Sequence, residues 1–221
     1  MGKWIEQLVV FFDELKEKFG TSDSGVYLRD DNFIGEPLGE RELERLRSEF
    51  GNVPESLVDF FRSETASISY LYCVNNPSFY GGLMMNVFAS DNPFRHLFTV
   101  RELGVFFDEL PVNPNRRELA LNSATILDTG GGDFLLVDVR DGDDPPVYFI
   151  GSEEDRMSDL QPPIACSFSS FLRDWSRLCY IDPDYFIYGD TFSLLDSNGQ
   201  LNACPENVQR LREVLGLTKE L

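Results

Sequence analysis

One histidine, His96, and the carboxylates between residues 133 and 155 are the side chains with which this chain could do chemistry. A nucleophilic triad needs a base that titrates near neutrality. His96 lies between Arg95 and Leu97 with no Gly-x-Ser-x-Gly elbow in the chain, so it reads as a structural or surface histidine. A single histidine also excludes a His-Glu-x-x-His zinc protease. Gly130-Gly131-Gly132 would suit a phosphate cradle only if a helix N-terminus followed. Asp133-Phe134-Leu135-Leu136-Val137 reads instead as the start of a strand, and no Gly-Lys-Ser/Thr is near, so the glycines read as a turn. Asp138, Asp141, Asp143 and Asp144 share one hairpin and supply oxygen ligands of the kind Mg²⁺ and Ca²⁺ take. Their spacing is not that of an EF-hand loop, and no second histidine accompanies them, which ranks a metal-dependent carboxylate hydrolase below a solvated acidic turn. A third use suits them better. With Asp133, Glu153, Glu154 and Asp155, and with Asp108 and Glu109 further back, they compose an acidic rim able to steer and orient a basic partner.

The whole chain carries that sign. Its 221 residues include 38 Asp and Glu against 19 Lys and Arg, a net charge of −19. Soluble domains commonly stay within a net charge of about 8 in magnitude, and an excess this large sets up a field of several kT at the surface. Such a field repels nucleic-acid backbones and anionic lipid and attracts a basic protein; solubility alone is the competing explanation. With 42% hydrophobic and 13% aromatic residues the chain has material for a folded core. No stretch approaches the roughly 18 apolar residues of a membrane span, and Met1–Glu6 shows no secretory pattern. Cys73, Cys166, Cys179 and Cys204 form no Cys-x-x-Cys pair and read as reduced thiols, so the expected compartment is cytoplasmic. No cofactor is expected.

The elements that would position these groups follow from periodicity. Trp4, Ile5, Leu8, Phe11, Phe12, Leu15 and Phe19 recur at helical spacing before Gly20. Residues 21–38 read as a connector. Helices follow at 39–50 (Leu43, Leu46 and Phe50 inward) and at 55–64 (Leu57, Val58, Phe60 and Phe61), with Pro54 at the junction. Ile68, Tyr70, Tyr72 and Val74 alternate as a strand; Asn75-Asn76-Pro77 and Gly81-Gly82 punctuate the chain before an apolar stretch at 83–89. A short helix capped by Thr99, strands at 119–127, 134–139 and 147–150, and a helix over 168–180 behind Ser167 come next. A hairpin turning at Ser197-Asn198-Gly199 and a helix from Pro205 close the chain. Tyr70, Tyr72, Tyr80 and Tyr148, near the sheet, are core residues by default and interface anchors by chemistry.

Four stretches in this order resemble the SUKH superfamily of cell-wall-assembly regulators and bacterial toxin-immunity proteins. They are Glu42–Gly51 with Val53-Pro54-Glu55-Ser56-Leu57 and Phe60-Phe61; Leu97–Leu103; Thr129–Asp138 leading to Pro146-Val147-Tyr148; and Ser167–Leu172. Two departures stand out. The family's Leu-Pro junction is Val53-Pro54, and its Asn-Gly pair after the second helix is replaced by Ser63-Glu64-Thr65-Ala66. The resemblance implies an α+β fold without a catalytic role and, for bacterial members, neutralisation of a toxin domain.

The expectation is an α+β fold, an antiparallel meander packed by helices, with helical additions at both ends. Residues 1–38 would form an N-terminal helix and connector, 39–181 the SUKH-like domain, and 182–221 a hairpin and helix extending it. The expected function is non-enzymatic: binding a basic partner, a toxin domain such as a nuclease, through Asp133, Asp138, Asp141, Asp143, Asp144, Glu153 and Glu154. A regulatory scaffold is the alternative. No nucleic-acid, membrane or metal partner is expected.

Overall fold

The computed structural model describes residues 3–19, 26–28, 32–51, 53–65, 67–75, 78–86, 119, 123–128, 134–150, 162–182 and 194–217. In chain order these form α1 (Lys3–Phe19), β1 (Val26–Leu28), β2 (Phe33–Ile34), α2 (Glu40–Phe50), α3 (Glu55–Ser63), β3 (Ser67–Asn75) and β4 (Ser78–Asn86). They continue as β5 (Ser123–Asp128), β6 (Phe134–Asp138), β7 (Val147–Ile150), α4 (Phe168–Arg177) and α5 (Pro205–Val214). The fold is α+β, and every strand pair among the described residues is antiparallel.

Two sheets share the work of the expected meander. β3 is the centre of the first: β4 pairs along one side from Ser67↔Asn86 to Asn75↔Ser78, and β1 and β2 share the other. The second runs β5-β6-β7, with β5 beside β4. Three sequence expectations change here. The connector over 21–38 contains two edge strands, because Val26 pairs Val74 and Ile34 pairs Ile68, which buries Val26 against the core. Gly81-Gly82 lies inside β4, not at a turn; the Tyr72 ring lies where a Cβ on Gly81 would project, so glycine is required for packing. The strand expected from residue 119 begins at Ser123. The Thr99 helix and the Gly130–Gly132 turn lie outside the described residues.

An aromatic cluster joins the layers. Trp4 of α1 meets Phe60 of α3 at 5.5 Å, Trp175 of α4 at 6.3 Å and Tyr180 at 5.6 Å between ring centroids. Phe11 and Phe12 reach Tyr72 on β3. The indole N–H groups are satisfied by carbonyls: Trp4 Nε1 donates to Leu172 O at 3.1 Å and Trp175 Nε1 to Ile181 O at 2.8 Å. Glu64, which stands where the family pattern departs, accepts from the Trp4 and Ile5 N–H groups at 3.2 and 2.8 Å. A carboxylate at the N-terminus of α1 satisfies orphan donors and complements the helix dipole. The departure from Asn-Gly therefore has a structural use: it fastens the N-terminal helix to the end of α3.

Both ends of the chain meet. Arg212 of α5 is 6% exposed and faces Glu14 of α1 with 3.7 Å between Nη2 and Oε2. Beyond α5, Leu217 N donates to Arg212 O at 2.7 Å across Gly216, whose φ of +61° suits this C-terminal closure and whose missing Cβ leaves room for Lys18.

The helix expected over 168–180 stops at Arg177, and Cys179 and Tyr180 adopt left-handed φ values of 58° and 52°. Two such non-glycine residues cost about 1–2 kcal/mol each. Full burial of both, and a 2.8 Å bond from Tyr72 Oη to Cys179 O, hold the turn in place. Burial raises the Cys179 thiol from 9.0 to about 12, and burial pushes Tyr72 and Tyr180 well above their usual 10.0. All three are proton-bound in the folded chain at pH values where the unfolded chain has lost those protons. Their contribution is intact below about pH 9 and is lost as pH rises toward 12. Thermal unfolding at stepped pH should show the melting temperature falling above pH 9, as the unfolding free energy drops by up to about 1.4 kcal/mol per pH unit for each titrating group; a flat profile to pH 11 would contradict this.

Candidate functional site

The acidic hairpin between β6 and β7 is built as a clamp. α3 and α4 both begin at its tip. The Ser56 N–H at the start of α3 donates to Asp143 O at 2.8 Å, and the Ser169 N–H at the start of α4 donates to Asp144 Oδ1 at 3.0 Å. Ser167 and Ser170 complete the cap of α4 by exchanging side-chain to backbone bonds, each 3.1 Å. The loop thus supplies acceptors to two helix N-termini, where orphan N–H groups and the positive dipole end favour oxygen and negative charge.

This geometry divides the carboxylates expected to contact a partner. Asp144 is exposed and also accepts from the start of α4, a structural use beside the expected partner-facing one. Asp138 is largely covered, 13% exposed at its side chain, and takes a forked pair from Arg140, with Nη2 to Oδ2 at 2.6 Å and Nε to Oδ1 at 2.9 Å. That pairing within the turn removes Asp138 as a free charge. Asp141 and Asp143 are exposed and remain available. Half-buried Tyr148 on β7 lies beside the turn; burial, then the negative charge of Asp141 and Asp138, raises its hydroxyl above the usual value. Asp133, Glu153 and Glu154 lie outside the described residues, as do Asp108, Glu109 and His96. Among the described residues no group of three or more His, Cys, Asp or Glu side chains gathers as metal ligands would.

Replacing Asp144 by Ala should lower stability by about 1 kcal/mol, the usual cost of losing a helix N-cap acceptor. Asp141→Ala should change stability by less than about 0.5 kcal/mol, as exposed substitutions do. Chemical denaturation of the two variants checks this, and equal losses would contradict the division of roles.

Two helices joined at a buried proline and a later capped helix thus meet at one hairpin tip. A profile of the SMI1/KNR4 family (SUKH-1) matches residues 37–174. The chain belongs to the SUKH-1 family. The match takes in α2 through the first seven of the ten residues of α4 and the whole acidic hairpin; α1, β1, β2 and α5 lie beyond it. No curated protein matches the chain. No helix among the described residues is long and apolar enough to cross a membrane.

The other expected anchors separate in this SUKH-1 domain. Tyr72 is 2% exposed and belongs to the core, Tyr70 packs edge-on against Phe12 at 4.8 Å, and the Tyr80 side chain is outside the described residues. Sequence periodicity missed Tyr27 and Phe33, which are 60% and 45% exposed on the two short strands read as connector. The only signal was the apolar pairing of Val26 with Leu28 and of Phe33 with Ile34, too short to distinguish a strand from a loop.

Proposed function

We propose that this SUKH-1 chain is a non-enzymatic protein-binding domain of the immunity type. It neutralises a basic toxin domain, such as a nuclease whose basic nucleic-acid site matches its charge, and acts in the cytoplasm. The excess of 38 acidic over 19 basic side chains carries the reading, because it favours a cationic protein and opposes a phosphate backbone. Family membership supports a domain of this class. The exposed Asp141 and Asp143 at the hairpin tip are open to the partner, alongside Asp133, Glu153 and Glu154 from the sequence. Charge complementarity would accelerate encounter, and a few desolvated contacts would slow release.

Co-expression tests the reading. The chain should restore growth to cells expressing the basic domain encoded beside it and should co-purify with that domain. Absence of both effects would favour the regulatory-scaffold role suggested by the cell-wall regulators in the superfamily.

A further inference from the structure

Beyond the acidic hairpin, two aromatic side chains stand exposed on one face of the first sheet. Tyr27 pairs Cys73 and Phe33 pairs Ser69, and directly opposed residues in an antiparallel sheet project to the same side. Cys73 and Ser69 are four residues apart on β3, so the two rings share a face about 13 Å apart along the strand. The opposite face holds Val26, Ile68, Tyr72 and Val74 in the core. Folding therefore accounts for Val26 but not for the aromatic choice at 27 and 33. Tyr27 and Phe33 are two of the three exposed large hydrophobics among the described residues.

The edge that carries them is pinned. Between the parts of β3 paired by β1 and β2, Leu71 N donates to Asn32 Oδ1 at 3.3 Å. Just beyond β2, Gly35 N donates to Ser67 O at 2.7 Å and Thr65 Oγ1 to Gly35 O at 2.8 Å. A face held this way loses little freedom when a partner arrives. Acidic residues border it in sequence: Asp30 and Asp31 between the strands, and exposed Glu36 after them.

We propose that Tyr27 and Phe33 form a docking face for arginine side chains of the basic protein partner. The inference rests on the reading of a cationic partner and adds where and how it is gripped. A guanidinium stacks on an aromatic face and is less strongly hydrated than an ammonium, so an aromatic pair in an acidic field selects Arg over Lys at equal charge.

Fluorescein-labelled nona-arginine and nona-lysine, titrated at about 50 mM salt where surface charge is weakly screened, provide the probes. The full chain should bind nona-arginine about tenfold more tightly than nona-lysine, from two stacked contacts. Tyr27→Ala/Phe33→Ala should abolish that preference while both peptides still bind. Tyr27→Leu/Phe33→Leu, which keeps apolar area and strand compatibility, should also abolish it and covers misfolding of the first variant. Equal binding of the two peptides to the unaltered chain, or an arginine preference that survives folded leucine variants, would overturn the docking face and leave the cationic-partner reading standing. Binding of neither peptide would overturn both. A dimer in sedimentation that the leucine substitutions dissociate would assign the face to a second copy and overturn the proposal.

Discussion

A chain cut back to residues 37–174, the span of the family match, should lose its cooperative thermal transition and bind hydrophobic dyes. That span omits α1 and stops one residue before Trp175. It leaves behind Phe60, Tyr72 and Phe171 without the rings of Trp4, of Phe11 and Phe12, and of Trp175 that pack on them. Trp4, Ile5, Leu8, Phe11, Phe12 and Leu15 are each 9% exposed or less in the whole chain. At about 1.5–3 kcal/mol for each buried large apolar side chain, α1 alone contributes on the order of 10 kcal/mol of burial. That is comparable with the about 5–15 kcal/mol by which whole domains are stable. The truncation also relieves the entropy of ordering α1, but the aromatic surface it uncovers faces water. Near-ultraviolet circular dichroism during heating distinguishes the outcomes; a sharp transition within a few degrees of the full chain would show that the family span folds alone.

The second large effect concerns one ring. Trp175→Ala should cost about 3–5 kcal/mol, the range for deleting a buried aromatic. For a chain of this size that lowers the melting temperature by on the order of 10 °C. Trp175 is 1% exposed, stacks on Phe171 at 5.2 Å, meets Tyr180 at 5.6 Å and donates its N–H to Ile181 O. Removal leaves a cavity among α1, α4 and the left-handed turn and orphans that carbonyl. Trp175→Phe should recover much of the loss, because it fills most of the volume and forfeits only the hydrogen bond. A drop below about 1 kcal/mol for the alanine variant would mean that the surrounding rings collapse into the space.

The long helices were legible because α1 and α4 repeat apolar residues over several turns, and Ser167 marks the α4 start with its own side chain. β1 and β2 were not, since two or three residues carry no period and exist only through pairing with β3. Gly81 misled for a related reason: its small size answers to the Tyr72 ring across the ladder, which no local window contains. At the candidate site the sequence located the acidic turn but could not sort its carboxylates. Asp138 and Asp144 differ from Asp141 only through Arg140 and the start of α4, one a turn neighbour and the other 25 residues away.

The most direct test of electrostatic recognition is the association rate of the purified chain with its co-purified basic partner, followed by stopped flow as salt is raised. Steered association should slow at least about tenfold between 50 and 500 mM salt while dissociation changes little, and Asp141→Asn should flatten that dependence. An association rate indifferent to salt would contradict recognition by charge and leave the −19 as a matter of solubility.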